Sequence, residues 1–158
     1  MSTLLLAGGC RRGGGHALVL DGRPRYPDAE GVVEQISFGR ITLDGGRSYG
    51  VRPDLQSFST YDLAASPMLQ RLGQYVQVGL RGGQVAWLAG IGVVVRRPGA
   101  RPVVYYNGVL VRLDGRRAVF RDGTVLHLAA GVTPPLGQGF VRAEIDPALH
   151  TVTSLVLP

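Results

Sequence analysis

The chain has no lysine among its 158 residues and only one cysteine, Cys10. A single cysteine cannot form an internal disulfide, so nothing in the sequence indicates an oxidising compartment. Nor does any stretch approach the roughly 20 apolar residues that a membrane-spanning helix needs. We therefore expect a cytoplasmic protein with no membrane partner.

The first ten residues, MSTLLLAGGC, resemble a bacterial lipoprotein cleavage site that ends in cysteine. No basic residue precedes the apolar run, however, and residues 3–7 are too short for a signal core of about 7–15 apolar residues. We therefore expect Cys10 to carry no lipid, unless the true start of the protein lies upstream.

Charged residues are scarce, at 18% of the chain, whereas 45% of the residues are hydrophobic. This balance suits a folded domain with a buried core. All 17 basic residues are arginine, and against 11 acidic residues they give a net charge of +6. A basic protein favours polyanionic partners such as nucleic acid. Exclusive use of arginine is also what a GC-rich coding bias produces, so the charge alone does not separate a binding patch from solvated strand edges.

Glycine is abundant, at 24 residues, and 10 prolines accompany it. Such a composition is typical of short strands joined by tight turns and argues against long helices. Alternation with a period of two is visible at residues 40–44, where Ile41 and Leu43 share a face opposite Arg40 and Thr42. Glycine-containing turn signals follow at hairpin spacing, because glycine accepts the positive φ of tight turns.

Two parts of the sequence repeat one another. Residues 31–51, GVVEQISFGRITLDGGRSYGV, align without a gap with residues 108–128, GVLVRLDGRRAVFRDGTVLHL, so that Arg40 meets Arg117. Further on, LGQYVQVGL and LGQGFVRAEI align with one extra glycine in the second copy, which brings Tyr75 over Phe140. The matches occur in the same order in both halves, which predicts an internal duplication.

Each copy contains five strand-like runs, and the first also holds an insertion at residues 52–71. Within the insertion, residues 66–72 predict a short helix, with Ser66 as its cap and Pro67 in its first turn. Three strands, a short helix and two more strands is the element order of an OB-fold; a small SH3-like barrel or a two-sheet sandwich gives much the same pattern. We predict an all-β protein of two tandem small five-stranded barrels, OB-like or SH3-like, with one short helix in the first.

The same pattern predicts the domain boundaries. Residues 1–30 form an N-terminal arm with one or two extra strands, and residues 31–95 form the first barrel. A linker at 96–102 leads to the second barrel at 103–158. Because strand-like runs adjoin the linker closely, we expect the two barrels to touch.

Signatures of catalysis are missing from the sequence. His16, His127 and His150 lie far apart and form no metal-binding spacing. There is no Gly-x-Ser-x-Gly elbow and no phosphate-binding loop, and Cys10 lacks the base and orienting partner that a nucleophile needs. We expect no enzymatic activity, no metal and no cofactor.

The basic charge and the predicted barrels favour nucleic-acid binding. Small barrels bind single strands by combining a basic groove with aromatic side chains on which bases stack. We expect a non-enzymatic protein that binds single-stranded nucleic acid or RNA, with arginines contacting phosphates rather than reading bases. The predicted interface comprises the outward arginines of both copies and two equivalent aromatics: Arg40, Arg47, Arg52, Arg112, Arg116, Arg117, Arg121, Tyr75 and Phe140.

Two alternatives stay open at this point. Tyr75 and Phe140 equally suit the seam where the two barrels meet. The whole protein equally suits an assembly or adaptor role, in which edge strands and the 52–71 insertion dock a protein partner or a second copy. A barrel enclosing a small ligand has little support, because barrels of this size are filled by their own side chains.

Overall fold

The computed structural model of the protein describes residues 21–58, 71–137 and 139–158. It confirms the all-β class: the regular elements of the described residues are ten strands and a 3-10 turn at Asp44–Gly46. None of the described residues belongs to a helix long and apolar enough to cross a membrane. The strands are β1 (Ala29–Ser37), β2 (Arg40–Leu43), β3 (Arg47–Phe58), β4 (Gln74–Arg81), β5 (Gln84–Val95), β6 (Val103–Asp114), β7 (Arg117–Phe120), β8 (Val125–His127), β9 (Gly139–Asp146) and β10 (Thr151–Val156).

The first five strands, here termed the first half, pair in a closed circuit. β1 pairs with β2, and β2 pairs with β3, both antiparallel. β3 then pairs with β5 in parallel, and β4 pairs antiparallel with both β5 and β1. Every strand of the first half therefore has neighbours on both sides for part of its length.

The last five strands, the second half, pair in the same order. β6 pairs antiparallel with β7 and β9, β7 with β8, and β9 with β10. A parallel bridge between Leu128 and Val152 stands where the first half has its parallel β3–β5 pair. The halves are joined by residues 96–102, and β5 and β6 pair on either side of that connection through Val94↔Val104 and Val95↔Val103.

Residues that the sequence alignment places opposite each other also hold the same cross-strand register. The register of the β1–β2 pair shifts by one residue between Val33 and Gln35. The register of the β6–β7 pair shifts at the corresponding place, between Leu110 and Arg112. The matching pairs, first half then second, are Val33↔Leu43 and Leu110↔Phe120, Ser37↔Arg40 and Asp114↔Arg117, and Val32↔Tyr75 and Val109↔Phe140.

Two buried apolar clusters form the core, one centred in each half. The first includes Ile41 and Leu43, whose side chains alternate inward along β2 as predicted. The second is built mainly from β6–β10 but also contains Tyr75 and Ile91 of the first half. The two halves therefore touch, as expected, and share part of one core.

Strand β3 departs from the sequence prediction because it continues through the start of the 52–71 insertion to Phe58. Leu55 and Phe58 are buried, and residues 56–58 resume the parallel pairing with β5 after an irregular stretch that contains Pro53. Burial of these apolar side chains and pairing with β5 hold this part of the insertion in the sheet. Residues 66–70 of the predicted helix and the predicted strands of the N-terminal arm lie outside the described residues.

Candidate functional site

Four strands of the first half place one residue each in a row across the outer face of the sheet. The register pairs Arg40 with Gly50, Gly50 with Gln84, and Gln84 with Arg81. We term these four residues the basic row. Arg40, Gln84 and Arg81 are exposed. Because neighbouring strands lie about 4.8 Å apart, the two arginines are separated by roughly 14 Å of sheet.

Tight turns border both ends of the basic row. Phe38 and Gly39 join β1 to β2, and Gly82 and Gly83 join β4 to β5. The three glycines have φ values of 69°, 58° and 74°, which glycine adopts without steric cost and which two-residue hairpin turns require. Phe38 is fully exposed beside Arg40. The sequence therefore places an aromatic ring in solvent next to the first cation of the row.

The two arginines of the basic row carry charges that no carboxylate neutralises by direct contact within the described residues. Arg40 donates from Nε and Nη2 to the hydroxyl of Ser48, at 3.3 Å in each case. Arg81 lies within electrostatic range of Asp54, but that carboxylate binds Arg52 instead. Both guanidinium groups remain available to an external anion.

Two of the predicted phosphate contacts, Arg47 and Arg52, are engaged by the protein itself. Arg47 donates to the Asp44 carboxylate at 2.9 Å and to the carbonyl oxygen of Glu30 at 2.9 Å. Arg52 forms a two-pronged pair with Asp54, at 2.8 and 3.1 Å. Each guanidinium is paired with a carboxylate of the protein, so we do not expect these two residues to be main phosphate contacts.

The predicted arginines of the second half occupy both ends of β7. Arg121 lies at the far end of the strand, whereas the other three cluster at the β6–β7 hairpin; all four are exposed. The guanidinium of Arg117 lies over the ring of Tyr26, 5.3 Å from its centroid. The hairpin group consists of Arg112, Arg116 and Arg117.

The expectation that Tyr75 forms an exposed stacking platform is wrong. Its side chain does point away from the core of the first half, but it is fully buried in the core of the second half, 5.9 Å from the ring of His150. Tyr75 therefore fills the seam, as the alternative proposed. Phe140, its counterpart, is 52% exposed, because no third unit covers that side of the second half in the described structure.

A cleft of about 470 Å³ opens at the seam between the halves. Tyr26 and Glu30 line it from one side, and Arg117, His127 and His150 from the other. Arg117 and His127 are register partners, just as Arg40 and Gly50 are in the first half. The cleft, here termed the seam cleft, therefore takes up the position in the second half that the basic row takes in the first.

Glu30 is the acidic group of the seam cleft. Its Oε2 accepts a hydrogen bond of 2.9 Å from Gln77, which also donates to the carbonyl oxygen of Val125 at 2.8 Å. Burial raises the pKa of Glu30, while the Gln77 hydrogen bond and the charges of His150 and His127 oppose the rise. The hydroxyl of the buried Tyr75 lies near this carboxyl group and interacts with it.

The substitution Glu30→Gln is expected to stabilise the protein more at pH 7 than at pH 4. In the unfolded chain the Glu30 carboxyl group loses its proton near the ordinary pKa of 4.5, whereas in the folded protein it loses the proton at higher pH. The folded state then binds more protons in the window above 4.5, so the contribution of Glu30 to stability falls as pH rises through that window. Glutamine cannot ionise, and its carbonyl keeps the acceptor for Gln77.

Urea unfolding of the wild type and of Glu30→Gln at both pH values measures this difference. Glu34→Gln is a matched control, because Glu34 lies on the same strand but is exposed. An equal effect of Glu30→Gln at pH 4 and pH 7 would contradict the raised pKa.

Sequence reasoning missed three residues of this site: Phe38, Arg81 and Gln84. The turn at 81–83 was readable from its glycines, but the pairing that brings Arg81 and Gln84 into line with Arg40 was not. Within the described ranges, no group of three or more His, Cys, Asp or Glu residues is arranged to hold a metal ion. Comparison with known proteins found no matching family model, no matching curated protein and no matching solved structure.

Proposed function

We propose that the protein binds single-stranded nucleic acid on the basic row and the adjoining Phe38 turn, without catalysing a reaction. The observation that carries the proposal is the open basic row, with Arg40 and Arg81 exposed and held by no direct ion pair within the described residues. Guanidinium groups match phosphate geometry, and an exposed aromatic ring stacks with any base. Phosphate contacts at the arginines and stacking at Phe38 together bind a strand without reading its sequence.

The proposed architecture is a pair of OB-like barrels that arose by duplication. The closed circuit of pairings, the parallel β3–β5 pair and the shared registers support it. In OB-folds the face of the second and third strands, with the loops after strands one and four, binds oligonucleotides. In the proposed architecture the basic row lies on this face of the first half, and its arginines are exposed. In the second half the equivalent face packs against the first half and lines the seam cleft.

Gly50 suits the centre of such a binding face. A Cβ atom at this position would lie 3.4 Å from Nε2 of Gln84, in van der Waals contact with its neighbour in the basic row. Because glycine has no side chain, no group projects from the sheet between Arg40 and Gln84, and a nucleic-acid backbone can approach the protein backbone there.

Fluorescence anisotropy with a labelled single-stranded oligonucleotide tests the proposal. Counterion release makes log K fall linearly with log[salt], with a slope of about −0.7 per phosphate neutralised on a single strand. Contacts at Arg40 and Arg81 therefore predict a slope of about −1.4 or steeper between 50 and 200 mM salt. The same sequence as a duplex is the control and is expected to bind more weakly. No binding, or a flat salt dependence, would remove the proposal.

Protein docking is the second candidate function, and a different surface favours it. An apolar groove of about 410 Å³ lies between β6 and residues 134–137, with Leu113 and Leu136 exposed along it. The strands of the first half have neighbours on both sides, so they offer little free edge for a partner strand to pair with. The apolar groove therefore suits a protein partner or a second copy better than the edge strands do. Docking there does not use the basic row, so substitution of Arg40 and Arg81 leaves it unchanged.

A further inference from the structure

The seam cleft has the size and position of a small-molecule site. Its volume of about 470 Å³ lies within the range of about 300–1,000 Å³ that such sites span, and they occur preferentially where two units meet. A single inorganic anion would leave most of this space unfilled. The cleft uses none of the residues of the basic row, so what it binds does not depend on the strand-binding proposal.

One side of the seam cleft carries nitrogen donors, including one arginine. Arg117 and His127 are exposed register partners on β7 and β8, and His150 joins them from the β9–β10 connection. Within the described residues Arg117 has no ion-pair partner, so its planar fork is free to hold a phosphate through two parallel hydrogen bonds. These three side chains form an anion subsite.

An aromatic ring stands next to the anion subsite. The hydroxyl of Tyr26 donates to Asp114 at 3.2 Å, which fixes the ring at the cleft while leaving it 42% exposed. The Arg117 guanidinium lies over this ring at 5.3 Å. An arginine paired with an aromatic ring is a surface on which a nucleobase stacks.

The opposite side of the seam cleft carries a hydrogen-bond acceptor. Oε2 of Glu30 accepts a hydrogen bond from Gln77, and the same carboxyl group interacts with the hydroxyl of Tyr75. Tyr75 is fully buried, whereas Glu30 lines the cleft. A base that presents an exocyclic amino group donates to this carboxylate, whereas uracil presents a carbonyl oxygen where cytosine carries its amino group, so that two acceptors face each other.

His150 is held at the cleft in an uncommon backbone conformation. Its φ of 54° makes it the one described non-glycine residue in the left-handed region. His150 comes directly before β10, and Gly83, with a φ of 74°, comes directly before β5 in the first half. Side chains other than glycine adopt this region at a cost. The imidazole contacts the Asp44 carboxylate at 3.5 Å and the Tyr75 ring, and these contacts hold it at the wall of the cleft.

We infer that the seam cleft binds a nucleoside monophosphate whose base carries an amino group, with the phosphate at Arg117, the base against Tyr26 and the amino group at Glu30. The same chemistry is presented by a free nucleotide and by the phosphorylated end of a strand. The inference is separate from strand binding on the basic row.

Isothermal titration with AMP, CMP, UMP and inorganic phosphate tests the inference on the full chain. AMP and CMP are expected to bind at least 10-fold more tightly than UMP or phosphate. Arg117→Ala is expected to weaken nucleotide binding at least 10-fold, and Glu30→Gln to reduce the preference for AMP over UMP. Arg101→Ala removes an exposed arginine outside the cleft and is expected to change nothing. Titration of a short oligonucleotide with and without a 5′-phosphate separates the two sources. Tighter binding of the phosphorylated oligonucleotide assigns the cleft to strand ends, and equal affinity assigns it to free nucleotides.

Two results would overturn the inference: nucleotides that bind no better than phosphate, or nucleotide binding that survives Arg117→Ala unchanged. The double substitution Arg40→Ala/Arg81→Ala distinguishes this failure from failure of strand binding. It is expected to weaken oligonucleotide binding and to leave the affinity for AMP as in the wild type.

Discussion

Gln77→Leu is expected to lower the free energy of unfolding by about 2–4 kcal/mol, since a half-buried carboxyl group and a buried carbonyl each lose a donor worth about 1–3 kcal/mol. Gln77 is 1% exposed and forms a polar link across the seam. Its Nε2 donates to Glu30 of the first half and to the carbonyl of Val125 in the second, at 2.9 and 2.8 Å. Leucine is of similar size, so the loss reports hydrogen bonds rather than a cavity.

Urea unfolding measures this loss. Circular dichroism follows the whole molecule, and the fluorescence of Trp87 follows the first half. Trp87 is the one tryptophan of the chain and lies on β5 in the first half. Gln84→Leu is the matched control, because Gln84 is exposed and surface substitutions usually shift stability by less than about 0.5 kcal/mol. A loss for Gln77→Leu no larger than that of the control would show that the seam does not depend on this side chain.

Local signals in the sequence predicted the strands well. Glycine pairs and Asp-Gly steps marked the turns, and period-two alternation marked the runs between them, because both properties belong to neighbouring residues. Strand β2 is an example: Ile41 and Leu43 are buried and Arg40 is exposed, as the alternation predicts. The all-β class followed from the same signals.

Non-local pairing accounts for what the sequence did not predict. Alternation correctly turned Tyr75 away from its own core, but only the packing of the second half decides that this outer side is buried. Arg81 and Gln84 join Arg40 only through the parallel β3–β5 register, which no local pattern encodes. Arg47 and Arg52 are different, because Asp44 and Asp54 lie within three residues of them and their pairing was readable from the sequence.

The substitution pair Arg40→Ala/Arg81→Ala is expected to weaken binding of a single-stranded oligonucleotide roughly 10- to 100-fold at 100 mM salt, and to make the salt slope shallower by about 1.4. Each arginine contributes one phosphate contact, and each lost contact removes one released counterion. The fold is expected to be unaffected, because both side chains are exposed.

The matched control is Arg97→Ala/Arg101→Ala, which removes the same charge from the exposed connection between β5 and β6. If the overall charge of +6 alone drives binding, both double variants weaken it equally and shift the salt slope equally. If the basic row is the site, the control retains nearly all the affinity.

Phe38→Ala then separates stacking from charge: the loss of a ring worth about 1–3 kcal/mol per stacked base lowers affinity while leaving the salt slope as it was. An affinity loss without a slope change at Arg40 and Arg81, or a change of salt slope at Phe38, is incompatible with the roles assigned to them.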